Sequence, residues 1–283
     1  MLAPGIPAST EDVTPADMAS FRAAVREVSG QVLAPHRDYY VQSKLRPLVS
    51  ELGFSSFKAL IVAVPRSPDL CRRVSEALAV HETAFFRDTH PFQTVRSVVL
   101  PRLLAQRGLS RTLNVWSAAA ALGQEIYSVA FMLNDMSRDF SNWQLQLFAS
   151  DFSHEAVERV RNGVYATHEV VRGLSMNQIE QYFMREGPMS WRVKVDIRRM
   201  IKTQVHNLLH PAPASFPKMD LILLRNVLIY FNSETQRQVI HNCFDQLKVG
   251  GVLLIGASET IYPLPHGLVR TVVDRTVLYQ REH

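Results

Sequence analysis

Apolar residues recur every three to four positions from Thr14 to about Val80, and after Leu109 they give way to short apolar runs separated by helical stretches. The first part predicts a set of short helices. Thr14 is suited to an N-cap with Pro15 at the first helical position and Asp17 at N3, and Met18, Phe21, Val25, Val28 and Val32 form the apolar stripe that follows. Pro35, Gly53 and the segment from Pro65 to Pro68 punctuate the region, with Ser67 and Pro68 reading as a further helix start. A longer helix is predicted from about Pro91 to Gln106, with Pro101 able to kink it and Gly108 placed to cap it.

Beyond Leu109 the period changes. Strands are predicted at Leu113 to Ser117, Gln144 to Ser150, Met219 to Leu224 and Val252 to Ala257, with helices at Gln124 to Met136, His154 to Asn162 and Ser233 to Leu247. Ser233 and Gln236 read as a capping-box pair for the last helix, and Gly250 with Gly251 as its close. Alternating strand and helix implies a mainly parallel α/β sheet, with Thr271 to Gln280 as an antiparallel edge. The stretch from Gly163 to Leu208 is too long for one crossover. Because Trp191 to Val195 reads as an extra strand there, a small insertion on the main sheet is expected.

Composition narrows the class further. With 283 residues, 47% hydrophobic and 20% charged, the chain has ample core for one large or two smaller domains, with flexibility expected only at its start. Net charge is +5, but 31 basic residues stand against 26 acidic ones and are dispersed rather than blocked, so no nucleic-acid partner is expected. No run of about 18 apolar residues or signal-peptide pattern is present, and a cytoplasmic protein without direct membrane insertion is expected. Cys71 and Cys243 lie in neither a CxxC nor a Cys/His cluster, and the histidines show no HExxH spacing, so neither a disulfide framework nor a metal is expected.

Candidate chemistry gathers at strand ends. In LNVWSAAAALGQE, Leu113 to Glu125, a strand runs into small residues and then a helix opened by Gly123, which lets backbone approach a nucleotide-like ligand. Plain close packing explains the same pattern. Asp151 ends the second strand, where an acid either binds ribose hydroxyls or caps the next helix; the residues leave both readings open. LRNVLIYF places Arg225, Asn226 and Tyr230 at or beyond a sheet edge, and HETAFFRD, His81 to Asp88, joins the helical region to the sheet. Arg87 there suits either a buried ion pair or an anionic ligand. Neither a GxSxG elbow nor a phosphate-binding P-loop occurs.

Taken together, HETAFFRD, WSAAAALGQEIYS, FASDFSHEAVERVRNGVY, LSMNQIEQYFMR, VHNLL and LLRNVLIYFNSETQRQVI resemble, in order, segments of the chemotaxis receptor methyltransferase (CheR) family. The resemblance spans nearly the whole chain. It implies an all-α N-terminal recognition domain over 1–88, then a Rossmann-like methyltransferase domain over 89–283 with a small antiparallel β-subdomain inserted at about 163–203. It implies methyl transfer from S-adenosylmethionine to glutamate side chains of a chemoreceptor's helical cytoplasmic region or a related signalling protein, leaving S-adenosylhomocysteine. By matching position, His81, Thr83, Arg87, Ser117, Ala118, Ala119, Glu125, Asp151, Asn207, Leu208, Arg225 and Asn226 would hold the cofactor. Arg87 and Tyr230 would lie at the reacting methyl, and Lys44 and Arg46 would meet the acceptor protein.

The chain departs from the family where His81 replaces the usual Asn and where GEEPYS has become GQEIYS, with Gln124 and Ile126; Glu125 is retained. Retuned rather than lost cofactor binding is the expectation. The arginine-rich recognition helix of the family is thinned here to Lys44 and Arg46, with Pro47 expected to interrupt it. These departures define the alternative, a diverged sensor or scaffold that binds the cofactor without turnover. A monomer is expected in either case.

Overall fold

The computed structural model describes residues 13–283, and the flexible start expected from the sequence lies outside them. Two compact units are present: a helical one running to Ala79 and including Tyr230–Asn232, and an α/β one formed by Val80–Ile229 and Ser233–His283.

Four α-helices build the helical unit, Pro15–Ser29, Asp38–Glu51, Phe57–Ala63 and Pro68–Leu78. The first is fixed by local chemistry. Thr14 Oγ1 accepts from the Asp17 N–H at 3.1 Å and Asp17 returns the bond to the Thr14 N–H at 3.1 Å, a closed capping box with Pro15 pre-set inside it. Gly30 ends this helix in the left-handed conformation, so Val32 lies beyond the apolar stripe and is exposed. Met18, Phe21 and Val25 pack with Val41, Leu45, Leu60, Ile61, Val74 and Leu78 into one apolar core. Pro47 does not interrupt its helix: Asp38–Glu51 continues through it, because Pro47 and the Ser43 carbonyl that loses its partner are on the exposed side.

In the α/β unit the strands are β1 Thr112–Ser117, β2 Gln144–Asp151, β3 Val164–Ala166, β4 Phe183–Gly187, β5 Ser190–Val193, β6 Ile201–Val205, β7 Met219–Leu224, β8 Leu247–Ile255, β9 Leu268–Val273 and β10 Thr276–Arg281. The main sheet has the order β6-β2-β1-β7-β8-β10-β9, parallel from β6 to β8. Here β10 pairs antiparallel with both β8 and β9, so the β-rich C-terminal stretch is a hairpin at the sheet's edge, as expected. The near-complete burial of β1 and β7 is that of central strands in a parallel sheet. A separate antiparallel sheet, β3-β5-β4, is the expected small insertion.

Several local expectations are corrected. The sequence did not reveal β6 as a strand; Ile201 to Val205 pairs with β2 as the outer strand of the main sheet, where partial exposure mixes Lys and Gln into the pattern. The inserted strand is Ser190–Val193, and Val195 instead opens a helical turn. The predicted Pro91 to Gln106 helix exists as His90–Thr94 and Leu100–Gln106 joined by a π-helical turn at Val95–Val99. Pro101 has no N–H to give back to the preceding turn, and the chain widens just before it. Arg107 rather than Gly108 caps its end. The last helix, Ser233–Gln246, begins on Ser233 itself and passes directly into β8, so Gly250 and Gly251 lie within that strand.

Candidate functional site

β1 lies between β2 and β7, the point at which connections run to opposite sides of the sheet and open a crevice beyond the strand ends. The small-residue turn after Ser117 is stitched to both neighbours: Ala118 N–H donates to Leu223 O and Ala120 N–H to Ser150 O, each at 2.9 Å. Ala121 then takes a positive φ of 47°, and its N–H reaches Asp151 Oδ2 at 2.9 Å. Gly123 opens the helix Gln124–Asp135 with φ 95°, where an added Cβ would come 2.9 Å from the Tyr165 hydroxyl. Only glycine fits both demands.

Asp151 is not the cap of the next helix; that is Ser153, whose hydroxyl accepts from Ala156 N–H. The Asp151 carboxylate instead accepts from Ala121 and, at 3.0 Å, from Ser153 N–H, with His81 Nε2 3.6 Å away. It is buried and aligned by backbone, with lone pairs to spare.

Glu125 and Arg225 meet in the interior of the crevice. Ser117 Oγ donates to Glu125 Oε1 at 2.7 Å and Arg225 Nη1 to Glu125 Oε2 at 3.1 Å. Burial pushes the Glu125 carboxyl above its ordinary pKa, against the pull of Arg225 and the Ser117 hydroxyl. From the same guanidinium, Nη2 reaches Asp88 Oδ2 at 2.7 Å and Arg87 O at 3.1 Å, so one side chain ties the glycine-opened helix to the segment bearing Arg87. That segment is also held by Phe86 N–H donating to Ser128 Oγ, and by Gly173, where a Cβ would lie 2.1 Å from Phe85 O. Thr83 and Arg87 are half-buried within it, and Arg87 Nη1 donates to Glu82 O at 2.6 Å.

Five of the eight non-glycine residues with positive φ among the described residues, Phe86, Asp88, Thr89, Ala121 and Asn226, belong to these turns. Such conformations persist only where surrounding bonds enforce them, and they concentrate at functional sites. At Asn226 the enforcing group is Glu259, a buried carboxylate after β8. It accepts from Asn226 N–H at 2.9 Å, Leu228 N–H at 2.8 Å and Gly256 N–H at 2.7 Å. Sequence reasoning missed Glu259, although an acid just past a parallel strand was the feature that singled out Asp151.

Past β6, Asn207 Oδ1 accepts from Leu209 N–H, and the buried Leu208 offers its carbonyl to Asn242. His206 was also overlooked as a site residue. Its N–H donates to Asp151 O at 2.9 Å, which seats it beside the Asp151 turn, and its ring packs 6.0 Å from Trp116. Burial, aided by His210, lowers its pKa to about 4, so the imidazole is neutral at physiological pH.

The structure therefore brings His81, Thr83, Arg87, Ser117 to Ala119, Glu125, Asp151, Asn207, Leu208, Arg225 and Asn226 to one edge of the sheet. The Ser117 hydroxyl faces Glu125 and is spent there. Tyr230 is grouped with the helical unit, where its carbonyl accepts from Val32 N–H at 2.9 Å. Lys44 and Arg46 are exposed on the helix Asp38–Glu51, with Lys44 Nζ 5.9 Å from the centre of the Tyr40 ring.

Buried polar atoms are almost always hydrogen-bonded in folded proteins. Among the described residues six buried side-chain atoms have no partner, and four of them, His81 Nε2, Gln124 Oε1, His206 Nε2 and Arg225 Nε, lie on the turns of this crevice. A guanidinium donor, an amide acceptor and two imidazole nitrogens along the crevice leave hydrogen-bonding capacity for a polar ligand. No helix among the described residues is long and apolar enough to cross a membrane, and no group of three or more His, Cys, Asp or Glu there is placed to hold a metal ion.

Comparison with known proteins agrees with this geometry. A family model described as "CheR methyltransferase, SAM binding domain" matches residues 81–273. Chemotaxis protein methyltransferase 1 of Pseudomonas aeruginosa is 36% identical over 255 residues, covering 88% of this chain and 92% of that protein. Chemotaxis protein methyltransferase Cher2 of Pseudomonas putida is 32% identical over 270 residues, covering 93% and 97%. With the crevice, its strained turns and its unpaired polar atoms all inside the matched segment, the chain belongs to the CheR methyltransferase family.

Proposed function

We propose that the protein transfers the methyl group of S-adenosylmethionine to glutamate side chains of a chemoreceptor or related signalling protein, forming glutamate methyl esters. The observation that carries this reading is the set of four buried polar atoms without a hydrogen-bond partner on the turns of the crevice, inside a segment that matches the SAM-binding domain of a methyltransferase family. The spare lone pairs of Asp151 suit the two hydroxyls of a ribose. Asn207 and Leu208 would flank the adenine. The opposed charges of Glu125 and Arg225 suit the ammonium and carboxylate of an amino-acid tail, with Arg225 Nε still to be satisfied.

When bound, S-adenosylmethionine supplies a methyl group on a positively charged sulfur, whose C–S bond breaks as the acceptor carboxylate oxygen bonds to carbon. A glutamate of ordinary pKa, ~4.3, is already ionised at neutral pH and needs no general base. The task left to the protein is to align the carboxylate and exclude water. Arg87, whose guanidinium donates to the Glu82 carbonyl through Nη1, keeps further donors to orient that carboxylate, and Tyr230 is assigned the same task by its matching position. Lys44 and Arg46 present positive charge to the acidic acceptor.

The test is incubation of the protein with methyl-labelled S-adenosylmethionine and membranes from its source cells. Base-labile label on a receptor-sized band is expected, and Arg87→Ala should lower the rate at least a hundredfold while the variant stays folded. Cofactor binding without any labelled protein would point to the sensor or scaffold, and the lack of S-adenosylhomocysteine binding by folded protein would remove both readings.

A further inference from the structure

We infer that the outer wall of the HETAFFRD segment is a docking surface for the acidic stretch that flanks the methylated glutamate in the acceptor protein. The inference rests on the function proposed above. A cavity of about 690 Å³ opens beside this segment within the α/β unit, and Arg87, Arg96 and Arg172 line it around a floor that includes Phe86, Phe92 and Met132.

Charge complementarity singles out the occupant. The two carboxylates in the lining are already committed: Asp88 to Arg225 at 2.7 Å, and Asp135 to the Tyr182 hydroxyl and, at 3.1 Å, Gln181 Nε2. Arg96 and Arg172 are not. Among the described residues Arg96 has one marginal contact, 3.5 Å to Asp135, and Arg172 one of 3.5 Å to Glu82, both from exposed side chains. Each guanidinium carries five N–H donors in a planar fork that matches a carboxylate, so the surface offers donors in excess of acceptors. A segment with carboxylates at intervals and an apolar face fits these arginines and the aromatic floor together. Arg87 belongs both to this wall and to the proposed methyl-transfer site, so an acidic stretch lying here would carry a neighbouring glutamate toward the reacting position.

The experiment is steady-state methylation of receptor-containing membranes from the source cells by the full chain and by an Arg96→Ala/Arg172→Ala double variant. The exposed pairs that these residues make contribute little to stability, so the variant should melt with the wild type. The acceptor KM should rise about tenfold and become less sensitive to salt, while kcat and the affinity for S-adenosylhomocysteine are unchanged. An unchanged acceptor KM in a variant that binds S-adenosylhomocysteine normally would overturn the docking surface alone. A wild-type protein that transfers no label would overturn the functional reading and this inference with it.

Discussion

Two buried polar clusters stand at opposite ends of the parallel strands, and they differ in how completely they are closed. At the amino ends Asp220 is fully buried, and its carboxylate accepts from Arg107 Nε at 2.7 Å, Lys248 Nζ at 2.7 Å and Asn114 N–H at 2.8 Å. Two cations and a backbone amide satisfy one acid from within the chain. At the carboxyl ends Glu125, Arg225, His81, Gln124 and His206 are also buried or half-buried, yet four of their polar atoms lack partners. The first cluster fastens the strands together. The second leaves hydrogen-bonding capacity for something that is not protein, and five non-glycine residues of its turns take positive φ.

Breaking the closed cluster should give the largest effect on stability. Asp220→Ala strands two cations near a buried position and should cost about 3–5 kcal/mol in denaturant unfolding. S-adenosylhomocysteine affinity of the folded fraction should not change, and a large loss of affinity would show that the two ends are coupled.

Breaking the open cluster should do the reverse. Arg225→Met removes the link between Glu125 and the Arg87 segment, and calorimetric affinity for S-adenosylhomocysteine should fall about a hundredfold, equivalent to about 2.7 kcal/mol. Its melting temperature should fall less than that of Asp220→Ala.

Glu259 tests whether a backbone-holding acid at the open end serves geometry alone. Glu259→Gln exchanges one accepting oxygen for a donor facing backbone N–H groups and should destabilise by about 1–3 kcal/mol. Amide exchange at Asn226, Leu228 and Gly256 should quicken together, whereas unchanged protection would mean that other bonds hold this turn.

The smallest effect is confined to acid. A histidine whose folded pKa lies near 4 binds fewer protons than its unfolded counterpart near 6.5. The stability of the neutral form is therefore complete above about pH 6.5 and declines as pH falls toward 4, by about 2–3 kcal/mol. His206→Phe should lack this decline, so urea midpoints of variant and wild type should converge or cross between pH 7 and pH 4. A constant difference across that range would show that His206 is not held neutral by the fold.

Much of this organisation was legible in the residues. The capping box at Thr14 and the strands β1 and β7 rest on interactions between near neighbours or on short, mainly apolar runs, and they were read within a residue of their observed bounds. The ordered segments from HETAFFRD to LLRNVLIYF identified the family, which the comparisons bear out. What escaped were features whose cause lies elsewhere in the chain. β6 is a strand because β2 offers it an edge.

The site divides along the same line. Sequence alone placed an acid at the end of β2, glycine before a helix and Arg87 in a segment that resembles the family's, because strand ends and helix starts leave local signatures. Only the tertiary structure decided that Asp151 is aligned by Ala121 rather than capping a helix, that Arg225 joins Glu125 to Asp88 from 100 and 137 residues away, and that Glu259 holds Asn226. These bonds connect residues far apart in sequence, and no periodicity along the chain encodes which lone pair an incoming N–H will meet.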